Sequence, residues 1–229
     1  MYFNTPRQRA IANLCTIAFY YLLRAGEYSH TGKEAVRTIP FSIQDVTFSR
    51  GSHIIPITST LKQLYKADKA TLKIQNQKNG QKDDPITNWA TGKRDDPVKA
   101  LARHTHMLWK ATHNPSTTLS TFIDPHGQPK KIRSSTITAA IKEAARELNL
   151  AKQGIPPDQV SSHSLRAGGA MALYLNGADE VTIKKQGRWK SSAFLSYVHA
   201  QIAFLSKGLS TLVSSPIPFY NATGAPERP

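Results

Sequence analysis

Apolar side chains recur at helical spacing near the start of the chain, with Ile11, Leu14, Cys15, Ala18 and Leu22 forming one stripe. That stripe predicts a helix over 6–23, with a stop or bend at Gly26. The period then changes. Phe41, Ile43, Val46 and Phe48 predict a short strand, 49–52 a turn, and 54–57 a returning strand whose Pro56 marks an edge. Residues 71–75 alternate polar and apolar, and Asn79-Gly80 follows as a two-residue hairpin signal, since both positions tolerate positive φ. The returning strand, 81–89, is weakened by Pro85.

The second half reads as a series of capped helices. Asp96-Pro97 forms an N-cap and first-turn pair opening a helix through Val98, Leu101, Ala102, Leu108 and Trp109. After a loop at 125–129, Ser134 or Ser135 caps an amphipathic helix with Ile137, Ala140, Ile141, Ala144 and Leu148 on one face. Ser161 or Ser162 caps another, ending at Asn176-Gly177. Asp179 opens a short helix, and Ser191 or Ser192 one carrying Phe194 and Tyr197. A last amphipathic piece, 202–213, precedes a Pro-rich tail expected to be disordered. The pattern predicts a mainly α fold with a small antiparallel sheet (α+β), as one domain over 1–213 and a tail over 214–229.

Charge narrows the partners. Among 229 residues, 30 Lys and Arg face 15 Asp and Glu, a net charge of +15 that favours a polyanion, nucleic acid before membrane. Solubility alone also accounts for such a surface. The single cysteine, Cys15, excludes an intramolecular disulfide and a cysteine metal cluster, reads as a buried structural thiol, and fits a reducing compartment. The longest apolar stretch, 11–23, is interrupted by Asn13 and Thr16 and is too short to span a bilayer. The first residues carry neither a basic n-region nor a cleavage pattern, so no signal peptide is expected.

Candidate chemistry gathers late in the chain. His163 and Arg166 lie three apart on a helix, where both can point at one anion. Gly168 and Gly169 follow; each glycine costs a helix about 1 kcal/mol relative to Ala, which predicts close approach by another element or a ligand. Lys184, Lys185, Arg188 and Lys190 then lead toward Tyr197. Each has an ordinary reading: a structural histidine, a solvated charge run, a half-buried tyrosine. Arg24 needs a partner, and Glu27 at i+3 can supply one.

Four segments change that picture together. Leu22-Leu23-Arg24-Ala25-Gly26-Glu27-Tyr28, His163-Ser164-Leu165-Arg166, Gly187-Arg188-Trp189 and Tyr197 resemble, in order and spacing, the catalytic domain of tyrosine recombinases, the phage-type integrases. The Gly-Arg-Trp-Lys-Ser-Ser…Tyr form is most similar to recombinases of eukaryotic retrotransposon- and crypton-type mobile elements. The likeness covers roughly residues 6–205.

The resemblance implies the fold of that domain and metal-independent DNA cleavage and rejoining through a 3′-phosphotyrosine. Arg24 matches the family's first arginine, His163 and Arg166 its His-x-x-Arg box, and Tyr197 its nucleophile. The family's lysine sits on a β-hairpin and is assigned to Lys78, with Lys73 and Lys82 as alternatives. Many members carry Gly-His or Gly-Trp nine residues before the tyrosine; here that slot holds Arg188, and Trp189 comes one place later. Trp189 is then expected to do the packing and hydrogen bonding, and Arg188 to meet the DNA backbone. Lys130, Lys131, Arg133, Lys142 and Lys190 are further DNA-binding candidates.

The resemblance also implies double-stranded DNA and a homotetramer as partners, no membrane, no cofactor and no metal, in the nucleus or a nucleoid. The family's separate N-terminal clamping domain is missing, so the chain resembles a catalytic domain or a fragment. Rival readings are a type IB topoisomerase-like enzyme, a domesticated DNA-binding protein that does not cleave, and a helix-turn-helix regulator on 134–176.

Overall fold

The computed structural model describes residues 4–32, 38–74 and 85–195. Lys78, Lys82, the Asn79-Gly80 turn, Tyr197 and the 202–213 segment lie outside the described residues.

Helix α1 (Pro6–Tyr20) begins where Thr5 and Gln8 form a capping box and Pro6 takes the first turn, where no N–H is missed. Ala10, Leu14, Ile17 and Ala18 are fully buried along it. The helix ends earlier than its apolar stripe predicts. Leu22 adopts a left-handed φ of 49°, which costs a non-glycine residue about 1–2 kcal/mol. A new one-turn helix, α2 (Ala25–Tyr28), then starts with Arg24 as its N-cap. The bend therefore falls at Leu22, while Gly26 lies inside α2.

Strands β1 (Val46–Arg50), β2 (His53–Ile55), β3 (Lys69–Leu72) and β4 (Ile86–Trp89) form an antiparallel sheet in the order β2-β1-β3-β4. Val46 and Phe48 alternate inward, and Phe48 stands opposite both Ile55 and Ala70. Ile43 does not join β1. It lies in a 3₁₀ turn, Ile43–Asp45, closed by the Asp45 carboxylate, which accepts from the Ser42 N–H and hydroxyl at 2.7 Å each. β2 stops before Pro56, and β3 pairs with β4 from Lys69↔Trp89 to Leu72↔Ile86. The short helix α3 (Leu61–Leu64), capped by Thr60, links β2 to β3.

Helix α4 (Pro97–Thr112) opens as predicted on Asp96, whose carboxylate accepts from the N–H groups of Lys99, Gly92 and Thr91. A second hairpin, β5 (Thr121–Ile123) with β6 (Pro129–Lys131), occupies a stretch that the sequence gives only as loop and basic residues. Its turn is held by Asp124 and by Gly127 at φ 76°. Helix α5 (Ser134–Glu147) is preceded by Arg133 rather than by a serine cap; Ser134 is already helical, and its Oγ lies 2.9 Å from that of Ser162. Leu148, predicted on the apolar face, is 67% exposed. Helices α6 (Ser162–Leu175) and α7 (Glu180–Gly187) carry the predicted caps, Ser161 and Asp179.

The fold is thus α+β, with α1 running through the core against α4, α5, α6 and β5. The glycine signal in α6 is explained here. A Cβ at Gly169 would stand 2.3 Å from the Phe19 carbonyl oxygen and 2.4 Å from Leu22 Cδ2. Only hydrogen at that position lets α6 meet the end of α1. No helix among the described residues is long and apolar enough to cross a membrane.

Candidate functional site

The close contact at Gly169 places Arg166, one turn earlier on α6, beside the end of α1. Arg166 is 5% exposed and donates through Nη1 to the Leu22 carbonyl and through Nη2 to the Gly187 carbonyl. The positive φ at Leu22 is what turns that carbonyl toward the guanidinium groups. On its flat face, Arg166 lies 4.0 Å from the ring centroid of Trp189. A desolvated contact of this kind contributes about 2 kcal/mol.

Trp189 reaches that position because α7 ends sharply. Arg188 takes a left-handed conformation, φ 57° and ψ 44°, at a position where glycine is the usual occupant. The turn folds the indole back over Gly187, where a Cβ would lie 1.5 Å from Trp189 Cζ3. Arg188 itself points inward. Its Nη1 and Nη2 donate to the two Glu27 carboxylate oxygens at 2.7 and 2.9 Å, and Nη2 also donates to the Leu22 carbonyl at 3.2 Å. Its Nε has no hydrogen-bond partner among the described residues. The sequence reading places Arg188 on a DNA backbone; in the structure the side chain is buried in an ion pair with Glu27, 161 residues away in sequence.

Glu27 joins that pair to Arg24. Its carboxylate accepts the Arg24 backbone N–H at 2.7 Å, closing the cap of α2, and Arg24 Nη1 at 3.2 Å. Arg24 Nη2 reaches the Arg188 carbonyl at 3.4 Å. Burial alone would raise the Glu27 carboxyl, but the hydrogen bonds and charges of Arg188 and Arg24 hold it below the ordinary carboxylate range. It is therefore anionic at neutral pH. Three arginines from three distant segments meet around one carboxylate and three carbonyls. Arg24 is the most open of them, its side chain 19% exposed.

The remaining candidates are dispersed. His163 sits exposed in the first turn of α6, its N–H donating to Ser161 Oγ, while Arg166 is buried one turn later. Lys73 is exposed just beyond β3, and its N–H donates to the Asp45 carbonyl. Lys130, Lys131 and Arg133 form an exposed basic run on β6 and the lead into α5, and Lys190 is exposed after Trp189. Lys142 is partly buried, with Nζ 3.6 Å from Asp158. Cys15 is half-buried, and desolvation pushes its thiol up to about 12, as expected of a structural cysteine. Among the described residues no group of three or more His, Cys, Asp or Glu side chains could hold a metal ion.

Sequence reasoning finds Glu27 as a partner for Arg24 but misses its larger role as the anchor of Arg188. The i+3 spacing carries the first signal; nothing local carries the second. In comparisons with known proteins, no family model and no curated protein matches the chain.

Proposed function

We propose that this chain is the catalytic domain of a tyrosine recombinase, which cuts and rejoins DNA strands through a 3′-phosphotyrosine without a metal. The observation that supports the reading is the convergence of Arg24 and Arg166, 142 residues apart, on the adjacent carbonyls of Arg188 and Gly187. The carbonyls of Leu22 and Gly187 orient the Arg166 guanidinium while carrying no formal charge themselves. Cations held this way suit a phosphodiester, whose non-bridging oxygens gain charge as a nucleophile arrives.

In this mechanism the Tyr197 hydroxyl attacks phosphorus and the bond to the 5′-oxygen breaks. Free tyrosine titrates near about 10, so its proton needs an acceptor, and His163 takes it. Lys78 gives a proton to the departing 5′-oxygen. Rejoining runs the same steps in reverse with a 5′-hydroxyl as nucleophile. Arg24, the more open cation, grips the phosphate, and Arg166 presents an edge that fixes its orientation. Lys130, Lys131, Arg133 and Lys190 contact the duplex backbone, and four protomers synapse two duplexes.

A nicked suicide duplex tests the reading. Incubated with the protein in EDTA, it should yield a protein–DNA adduct that survives SDS, and Tyr197→Phe should yield none. Absence of an adduct with the wild-type chain, or the same adduct with the Phe variant, overturns the proposal. Supercoil relaxation without exchange between duplexes would move the assignment to a topoisomerase.

A further inference from the structure

We infer that Arg188 is a positioning residue that keeps Arg24 from collapsing onto Glu27. The inference rests on the reading above only in giving Arg24 a phosphate to hold. The geometry is a competition for one carboxylate. A guanidinium and a carboxylate prefer the two-point fork, which is stronger and more fixed in direction than a single contact. Arg188 occupies that fork on Glu27 at 2.7 and 2.9 Å, with both side chains 3% exposed. Arg24 meets the same carboxylate through a single side-chain contact, at 3.2 Å, and reaches the Arg188 carbonyl at 3.4 Å.

Arg188 therefore acts on Arg24 twice. Its side chain holds the carboxylate that would otherwise turn to take Arg24 by both oxygens, and its carbonyl accepts from Arg24 Nη2. The left-handed backbone at Arg188 supports the same view. Glycine would adopt that φ freely, so an arginine there serves through its side chain. Gly187 and Trp189 on either side meet Arg166, so this three-residue turn contacts both Arg24 and Arg166.

Two measurements test this, the first independent of DNA chemistry. In ¹⁵N-arginine NMR, with the Arg24 signals assigned by their loss in Arg24→Lys, Arg188→Gln should shift those signals and slow rotation about the Arg24 Nη groups, as a fork to Glu27 requires. Unchanged Arg24 signals in the folded variant overturn the inference. If Arg188→Gln does not fold, Arg188→Lys takes its place, since an ammonium holds one oxygen at a time and frees the other; the expected and overturning results are the same.

The second measurement is single-turnover adduct formation. The rate constant at saturating duplex should fall about tenfold or more, with half-saturation moving less than about twofold. A merely structural role would lower the adduct yield and leave the rate constant unchanged, and that result would also overturn the inference. Should the wild-type chain form no adduct, the recombinase reading fails, and the NMR comparison still decides whether Arg188 positions Arg24.

Discussion

Replacing Glu27 by Gln should destabilise the fold, by an amount that depends on pH. The carboxylate is 2% exposed and accepts from two Arg188 nitrogens, one Arg24 nitrogen and the Arg24 backbone N–H. Breaking a buried ion pair costs about 3–5 kcal/mol, because the stranded charge has lost its solvent as well as its partner. Gln keeps one carbonyl oxygen for the cap and one contact, which places the cost near the lower end, about 3 kcal/mol. Against a typical total stability of about 5–15 kcal/mol this is large. For a domain of this size it lowers Tm by about 6–12 °C.

The sign of the pH dependence follows from the folded carboxyl titrating below its unfolded value. Such a group contributes stability that is fully present above the unfolded pKa, about 4.3, and is lost as pH falls through the lower folded value. The gap between wild type and Glu27→Gln should therefore stay constant from about pH 8 to about pH 5 and close below about pH 4. Other carboxylates titrate in both proteins and cancel in the difference. Urea unfolding across that range is the assay. Equal midpoints at neutral pH, or a gap that persists in acid, would refute the account of Glu27 as the charged anchor.

Two further outcomes follow from the packing. Gly169→Ala should cost about 1–3 kcal/mol or more, since the added methyl meets the Phe19 carbonyl, whereas Gly168→Ala, 3.5 Å from the Phe19 ring, should be neutral or gain up to about 1 kcal/mol of helix propensity. Thermal unfolding of the two variants checks this, and equal effects would contradict the close α1–α6 contact. His104 is fully buried with Nε2 2.7 Å from the Leu119 carbonyl oxygen; desolvation lowers its pKa to about 4, more than that hydrogen bond raises it. Its ring signals should hold constant from about pH 8 to about pH 5, and a midpoint near about 6.5, the free value, would contradict the burial.

Much of the scaffold was legible in local patterns. Asp96-Pro97, Ser161 and Asp179 announce their helices because a cap is chemistry between residues two or three apart. The early end of α1 was not legible, since its apolar stripe continues through Leu22 while the backbone turns left-handed there. Nor was the β5–β6 hairpin, whose strands are three residues long and lack alternation. Gly168-Gly169 signalled a close approach without saying to what.

By itself the sequence determined the caps at Asp96, Ser161 and Asp179 and the helices they open, the excess of positive charge, and which arginines and glycines were unusual, because each depends on near neighbours or on composition. Only the tertiary structure decided that Arg24, Arg166 and Arg188 meet, and that Arg188 turns inward to Glu27. The reason is that an arginine carries the same charge wherever it lies. Its partner is set by which carbonyls and carboxylates the packing of α1 against α6 leaves within reach.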